Sequence, residues 1–205
     1  MADVVTTGTG EVEYAADRAT LWLTYRAKEK NRARAVSALT AQVAQVEPLL
    51  ARDGVEVRSR RLSVHANWEN KRNTGCIAEQ NYSLRVTDTA VLEDLLNALL
   101  ATEPANLNGP NWELADQTAA TREAQHLAVA KARLHAEGYA SALGLGLGEL
   151  VRITDGSQGP GMGGGFGRVH YAAAAASGPD VRELNLEPEL ITVSASCTAT
   201  WTLVG

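Results

Sequence analysis

Two thiols, four imidazoles and one glycine-rich run are where this chain could carry chemistry. Gly159-Pro160-Gly161-Met162-Gly163-Gly164 matches G-x-G-x-x-G and follows a strand-like segment. A dinucleotide site needs that turn inside a parallel βαβ unit, with a helix whose N-terminus holds the pyrophosphate. Here Gly165, Phe166, Gly167 and Arg168 follow, then alanines from Ala172 to Ala176. The run therefore reads as a loop inserted between sheet strands, and no Gly-Lys-Ser/Thr follows to make a Walker loop. His126 and His135 share a helical segment but are more than two turns apart, too far to hold one ion together. His65 falls on the polar side of a strand and His170 follows the glycine run, so each reads as a surface histidine. Cys197 shares the apolar register of Val193, Ala195, Ala199, Trp201 and Leu203, which makes it a small core residue. Cys76 follows a turn containing Lys71 and Arg72 and is the candidate reactive thiol; reactivity requires an electropositive setting that stabilises the thiolate. No G-x-S-x-G elbow and no HExxH are present. The reading assigns no catalytic residue, no metal site and no cofactor, and expects a protein that is not an enzyme.

The elements that must position these residues follow from periodicity. In Ala19–Ala27, Leu21, Leu23, Tyr25 and Ala27 alternate with Thr20, Trp22, Thr24 and Arg26, a strand with one buried face. Trp22 lies on the wrong side of that strand, so it packs beneath another layer or marks a subunit contact. It is the first candidate interface residue, with Arg168 and Tyr171 beside the glycine run. Val36, Leu39, Val43, Val46 and Leu50 recur at helical spacing and predict a helix near 29–52, ended by Gly54 and kinked or cut short by Pro48. Leu62, Val64, Ala66 and Trp68 in one strand, and Tyr82, Leu84 and Val86 in the next, predict a long hairpin closed by ENKRNTG. Asp88 or Thr89 caps a short leucine-rich helix, and LNGPNWEL supplies a strand with Trp112 and Leu114 inward. The order strand, helix, strand, strand, helix, strand is that of ferredoxin-like split units.

From Asp116 an alanine-rich helix follows, with Ala120, Ala124, Leu127, Leu134 and Ala142 placed on one side. Small residues there predict close approach to a neighbour. Gly138 inside it, costing about 1 kcal/mol against alanine, points to a tight contact. LVRIT and Leu190 to Val204 then extend the sheet. The predicted fold is α+β, an antiparallel sheet of about seven strands with three helices: a ferredoxin-like βαββαβ core extended by a long helix and two C-terminal strands. It is expected to form one domain over 1–205 with a Gly/Ala-rich insertion at about 156–188. The segment Val4 to Gly10 pairs either within its own sheet or with a neighbouring subunit's.

Composition bounds the functional classes. Hydrophobic residues at 45% and charged residues at 21% are ordinary globular usage. A formal net charge of -5 argues against nucleic-acid partners, which require a basic surface. The charge is uneven: 12 Lys and Arg face 9 Asp and Glu through Gly75, whereas 7 face 15 from Cys76 onward. Regions of opposite sign can meet between subunits or simply wet the surface. No apolar run is long enough to span a membrane, and the N-terminus has neither a basic start nor a signal-peptide core. As written the chain reads as cytoplasmic, or as periplasmic if an export signal has been removed.

Several segments together resemble the SIMPL-domain family, a domain of unknown function. GTGEVEYAADRATLWLTYRA is similar to the family's opening strand, aspartate turn and long alternating strand, with Asp17 as the aspartate and Ala16 where proline often precedes it. NLNGPNWELADQTAATREA, carrying Gly109, Trp112 and Asp116, resembles the family's glycine-aromatic strand leading into a capped helix. The long helix, glycine stop, strand, Gly-rich interruption and terminal strand complete a likeness from about Val4 to Leu203. The resemblance implies oligomer-forming proteins of the bacterial cell envelope linked to stress tolerance, or adaptors in animal kinase signalling. The function expected is a noncatalytic homo-oligomer or protein-interaction protein whose protein partner is unknown. The alternative is a small-molecule-binding or redox-responsive protein using the Gly-rich loop, His65 or Cys76.

Overall fold

The chain opens with two long strands, β1 (Asp3–Ala15) and β2 (Arg18–Glu29), which enter different sheets. The computed structural model describes residues 2–156 and 186–205. These fall into two compact units: one from 2–15, 116–156 and 190–205, the other from 16–115 and 186–189.

In the second unit, β2 is followed by helices α1 (Arg32–Ala44) and α2 (Glu47–Leu50), then by β3 (Val55–Glu69) and β4 (Arg72–Val86). A short 3-10 turn (Thr89–Val91) leads into α3 (Leu92–Leu100), and β5 (Asn106–Glu113) closes the unit. The sheet order is β3-β4-β2-β5 with every neighbour antiparallel, as expected for the split ferredoxin-like arrangement. Asn31 caps α1 by accepting the Arg34 N–H at 2.9 Å. Pro48 acts as foreseen: the helix ends near Gln45 and restarts as α2, where proline occupies the first turn and needs no donor. The β3–β4 hairpin turns more tightly than ENKRNTG suggested. Asn70 and Lys71 both adopt positive φ, 48° and 65°, the geometry of a two-residue loop matched to strand twist.

Leu21, Leu23, Tyr25 and Ala27 of β2 are buried with Tyr82, Leu84 and Val86 of β4 and with Leu92, Leu95, Leu96 and Leu99 of α3. Tyr25 and Tyr82 meet edge to face, their centroids 6.2 Å apart. The Tyr25 hydroxyl shares a hydrogen bond with Thr102 at 2.6 Å, and that of Tyr82 donates to Glu47 at 3.3 Å. Burial, and then the Glu47 carboxylate, push the Tyr82 phenol up to about 12. A raised folded pKa means that this contribution to stability is complete below pH 10 and is lost as pH climbs through about 12. Thermal melting across that alkaline range should therefore fall less steeply for Tyr82→Phe than for the wild type. Equal slopes would place the phenol in an unperturbed setting.

The first unit is built from β1, α4 (Thr118–Ala142), β6 (Gly146–Asp155) and β7 (Leu190–Val204), with sheet order β1-β7-β6. The seven strands and the α+β class match the expectation, but β6 and β7 do not extend the ferredoxin-like sheet; they form a separate antiparallel sheet with β1. β1 pairs along its whole length with β7 of its own chain, from Asp3 opposite Thr202 to Ala15 opposite Leu190. Val4–Gly10 thus pairs within its own chain's sheet.

The packing of α4 corrects two expectations. Its buried stripe is Ala120, Ala124, Ala128, Ala132, Ala136 and Ala140, one alanine every fourth residue, whereas Leu127, Leu134 and Ala142 are exposed. Small residues do bring the helix close, and the close contact is at Gly8 and Gly10 of β1, not at Gly138. A Cβ on Gly8 would lie 1.9 Å from the Ala128 carbonyl oxygen, while one on Gly138 would meet nothing within 4 Å. Thr6 Oγ1 donates to the Ala132 carbonyl at 2.6 Å, and the Tyr14 hydroxyl donates to Glu123 at 2.6 Å, fixing the helix along the strand.

Candidate functional site

In the four-stranded unit the helices take one face of the sheet; on the other, Thr20 is buried toward one end while the side chains around Trp22 are partly exposed among the described residues. Trp22 stands near the middle of that second face on β2, 42% exposed. Pairing sets Ser83 of β4 on one side of it and Asn108 of β5 on the other. Thr24 and Asn106 make the next row, where Thr24 Oγ1 donates to Asn81 Oδ1 at 2.7 Å. On the other side of Trp22, Thr20 donates to Glu113 at 2.7 Å, and Glu113 also approaches Arg18 at 3.3 Å. Among the described residues no layer buries the indole.

A β-bulge shapes this face. Between Thr20 and Trp22, β2 has one residue where β5 has Gly109 and Pro110. Gly109 takes φ +116°, and a Cβ there would come within 2.7 Å of the Thr20 carbonyl oxygen, so glycine is required. The extra residue resets the alternation, which places Asn106, Asn108 and Asn111 on the same side. Asp17 secures the far end of β5 by accepting the Ala115 N–H at 2.7 Å. No side-chain periodicity in the sequence announces this grouping; the NLNGPNW segment held the only signal.

The three-stranded unit exposes a different kind of surface. A helix is roughly 10 Å across and strands lie about 4.8 Å apart, so one helix covers about two strands. Drawn onto β1 by its glycines, α4 covers β1 and β7. The side chains of β6 opposite the buried Trp201 and Ala199 are Leu150 and Ile153, and these remain 44% and 48% exposed. Val151, at an irregular step in the β6–β7 register, is 58% exposed. A groove of about 290 Å³ runs here between α4 and β6, lined in part by Val129, Ile153 and Cys197. On the other flank a shallower hollow of about 590 Å³ lies between α4 and the free edge of β1, floored by Val5 and walled by Leu134 and Tyr139.

The remaining candidates are dispersed. Cys76 is half-buried inside β4, opposite Glu29 and Ala66, because the hairpin closes at Asn70–Lys71 and the strand has already resumed. Cys197 is buried as expected, and both thiols are free. His65 and His126 are exposed, and His135 Nδ1 lies 3.0 Å from the Thr7 carbonyl, a donor to β1 in the tautomer that protonates that nitrogen. Arg168, Tyr171, His170 and the Gly159–Gly164 run lie outside the described residues. Among the described residues no three His, Cys, Asp or Glu side chains gather as a metal site, and no helix is long and apolar enough to cross a membrane.

A search of curated proteins found no matching relative. The profile of one family, SIMPL, described as a protein of unknown function (DUF541), matches residues 4–201. That span takes in both sheets, the alanine-striped helix and the bulged strand, and the chain therefore belongs to the SIMPL family.

Proposed function

We propose that the protein is a noncatalytic, oligomer-forming or protein-interaction protein that associates through its three-stranded unit. The observation that carries this reading is the helix side of β6, which no described residue covers, so that Leu150 and Ile153 stay exposed beside a groove of mixed apolar and polar lining. Contiguous exposed apolar surface of this kind is costly in water and characteristic of association sites. Both outer strands, β1 and β6, also keep an unpaired edge among the described residues, a second feature that favours strand-to-strand association.

The test is native mass spectrometry with light scattering on the intact protein. The wild type should give one defined oligomer, and the double variant Leu150→Arg/Ile153→Arg should shift it to monomer while keeping the same circular dichroism. A wild type that stays monomeric at tens of micromolar, with no partner bound, would defeat the proposal.

A further inference from the structure

The Trp22 face of the four-stranded sheet differs in chemistry from the apolar strip on β6, and it points to a different occupant. Asparagine is depleted from strands, yet β5 presents Asn106, Asn108 and Asn111 on one face, all exposed. The bulge at Gly109 is what keeps Asn111 on the side of the other two. These amides border an indole whose flat π-face carries partial negative charge and attracts weakly positive C–H groups. Asn81, its carbonyl oxygen engaged by Thr24, offers its amino group as a donor in the same row.

Charge selects among the possible ligands. On this face Arg18 pairs with Glu113, Arg26 with Glu79, Lys28 with Glu69 and Arg85 with Glu56 at 3.9 Å, while Arg61, exposed on β3 opposite Asn81, is a single cation outside these pairs and two strands from Trp22, not a row of them. Next to Trp22 itself the groups are hydroxyl and amide. A nucleic acid needs unmatched cations along its phosphates. The core of a protein interface is more apolar than the surface around it, whereas hydroxyls and amides border Trp22. A neutral sugar chain needs neither unmatched cations nor an apolar border: the C–H face of a pyranose lies on indole, and its hydroxyls exchange hydrogen bonds with neighbouring amides. We propose that the face around Trp22, Asn106 and Asn108 is a binding platform for a neutral oligosaccharide.

Isothermal titration of the full chain with cellohexaose, maltohexaose and chitohexaose tests this, with oligouridylate as the nucleic-acid probe. At least one hexasaccharide should bind saturably. Trp22→Ala should weaken it about tenfold or more, Trp22→Tyr only about threefold, and Asn108→Ala by an intermediate factor, as loss of a stacking or amide contact implies. Trp68 is 64% exposed at the tip of the β3–β4 hairpin, away from these amides, and Trp68→Ala should leave affinity unchanged. Binding to none of the three sugars, undiminished binding by a folded Trp22→Ala, or binding to oligouridylate alone would each overturn the proposal. So would loss of the oligomer in Trp22→Ala without any sugar bound, since Trp22 would then be a protein contact. The β6 double variant should still bind sugar, which separates this test from the assembly test.

Discussion

Gly8→Ala should lower unfolding stability by roughly 3 kcal/mol or more, the upper range for forcing atoms into a filled contact. Most glycine-to-alanine changes in a regular element gain from the lost freedom of the unfolded chain. At Gly8 the new methyl would lie 1.9 Å from the Ala128 carbonyl oxygen and 2.6 Å from the Ala132 nitrogen. Both are helix backbone, which cannot swing aside as a side chain would. α4 must lift from β1, and lifting it breaks the Thr6 bond to Ala132 and opens the alanine stripe to water. The matched control is Gly138→Ala on the same helix, where the added methyl meets nothing within 4 Å. That change should stabilise by about 0.8–1 kcal/mol through helix propensity alone. Urea unfolding followed by circular dichroism reads both; opposite signs are expected, and a neutral Gly8→Ala would mean that the helix does not rest on the strand.

In the other unit the largest effect is expected from Leu95→Ala. Leu95 is completely buried on α3, beneath a core that also holds Leu92, Leu96 and Leu99. Removing its side chain costs the lost burial plus the cavity left behind, about 2–5 kcal/mol in comparable sites. Leu100, the last residue of α3 and only half-buried, lies at the flank of that stripe. Its replacement by alanine should cost no more than about 1.5 kcal/mol, since less apolar surface leaves water. Comparable losses at the two positions would show that α3 packs in a different rotation. The contrast also tests whether Leu92, Leu95, Leu96 and Leu99 form one buried stripe.

How much was legible differs between the two units, for physical reasons. In the four-stranded unit β2 and β4 alternate strongly and α1 and α3 carry leucine or valine at three- and four-residue spacing, so burial and periodicity agree there; on β3 they part, since Leu62 and Trp68 stay exposed. Local signals there mark the elements: Pro48, and the cap at Asp88. In α4, alanine occurs on several sides of the helix, and the leucines Leu127 and Leu134 drew the apolar face to the wrong side. Hydrophobicity orders a helix when the core is filled by large side chains. Here the core is made by approach of backbones, so the smallest residues are inside and larger ones outside. Cys76 was misplaced for a related reason, because the polar run before it contains both the turn and the first residues of the strand.

The amino-acid sequence by itself determined the element types, their order, the hairpin, the ferredoxin-like succession and the family, because these depend on local propensity and on patterns repeated within a few residues. Only the tertiary structure decided that β1 leaves its sequence neighbour β2 to pair with β7, which divides the strands between two sheets. It alone showed that one helix covers two of three strands and leaves Leu150 and Ile153 bare, and that a single extra residue at the Gly109 bulge gathers three asparagines beside Trp22. Those outcomes depend on contacts between residues far apart in the chain, where steric fit of backbone against backbone selects the partner and no local pattern records the choice.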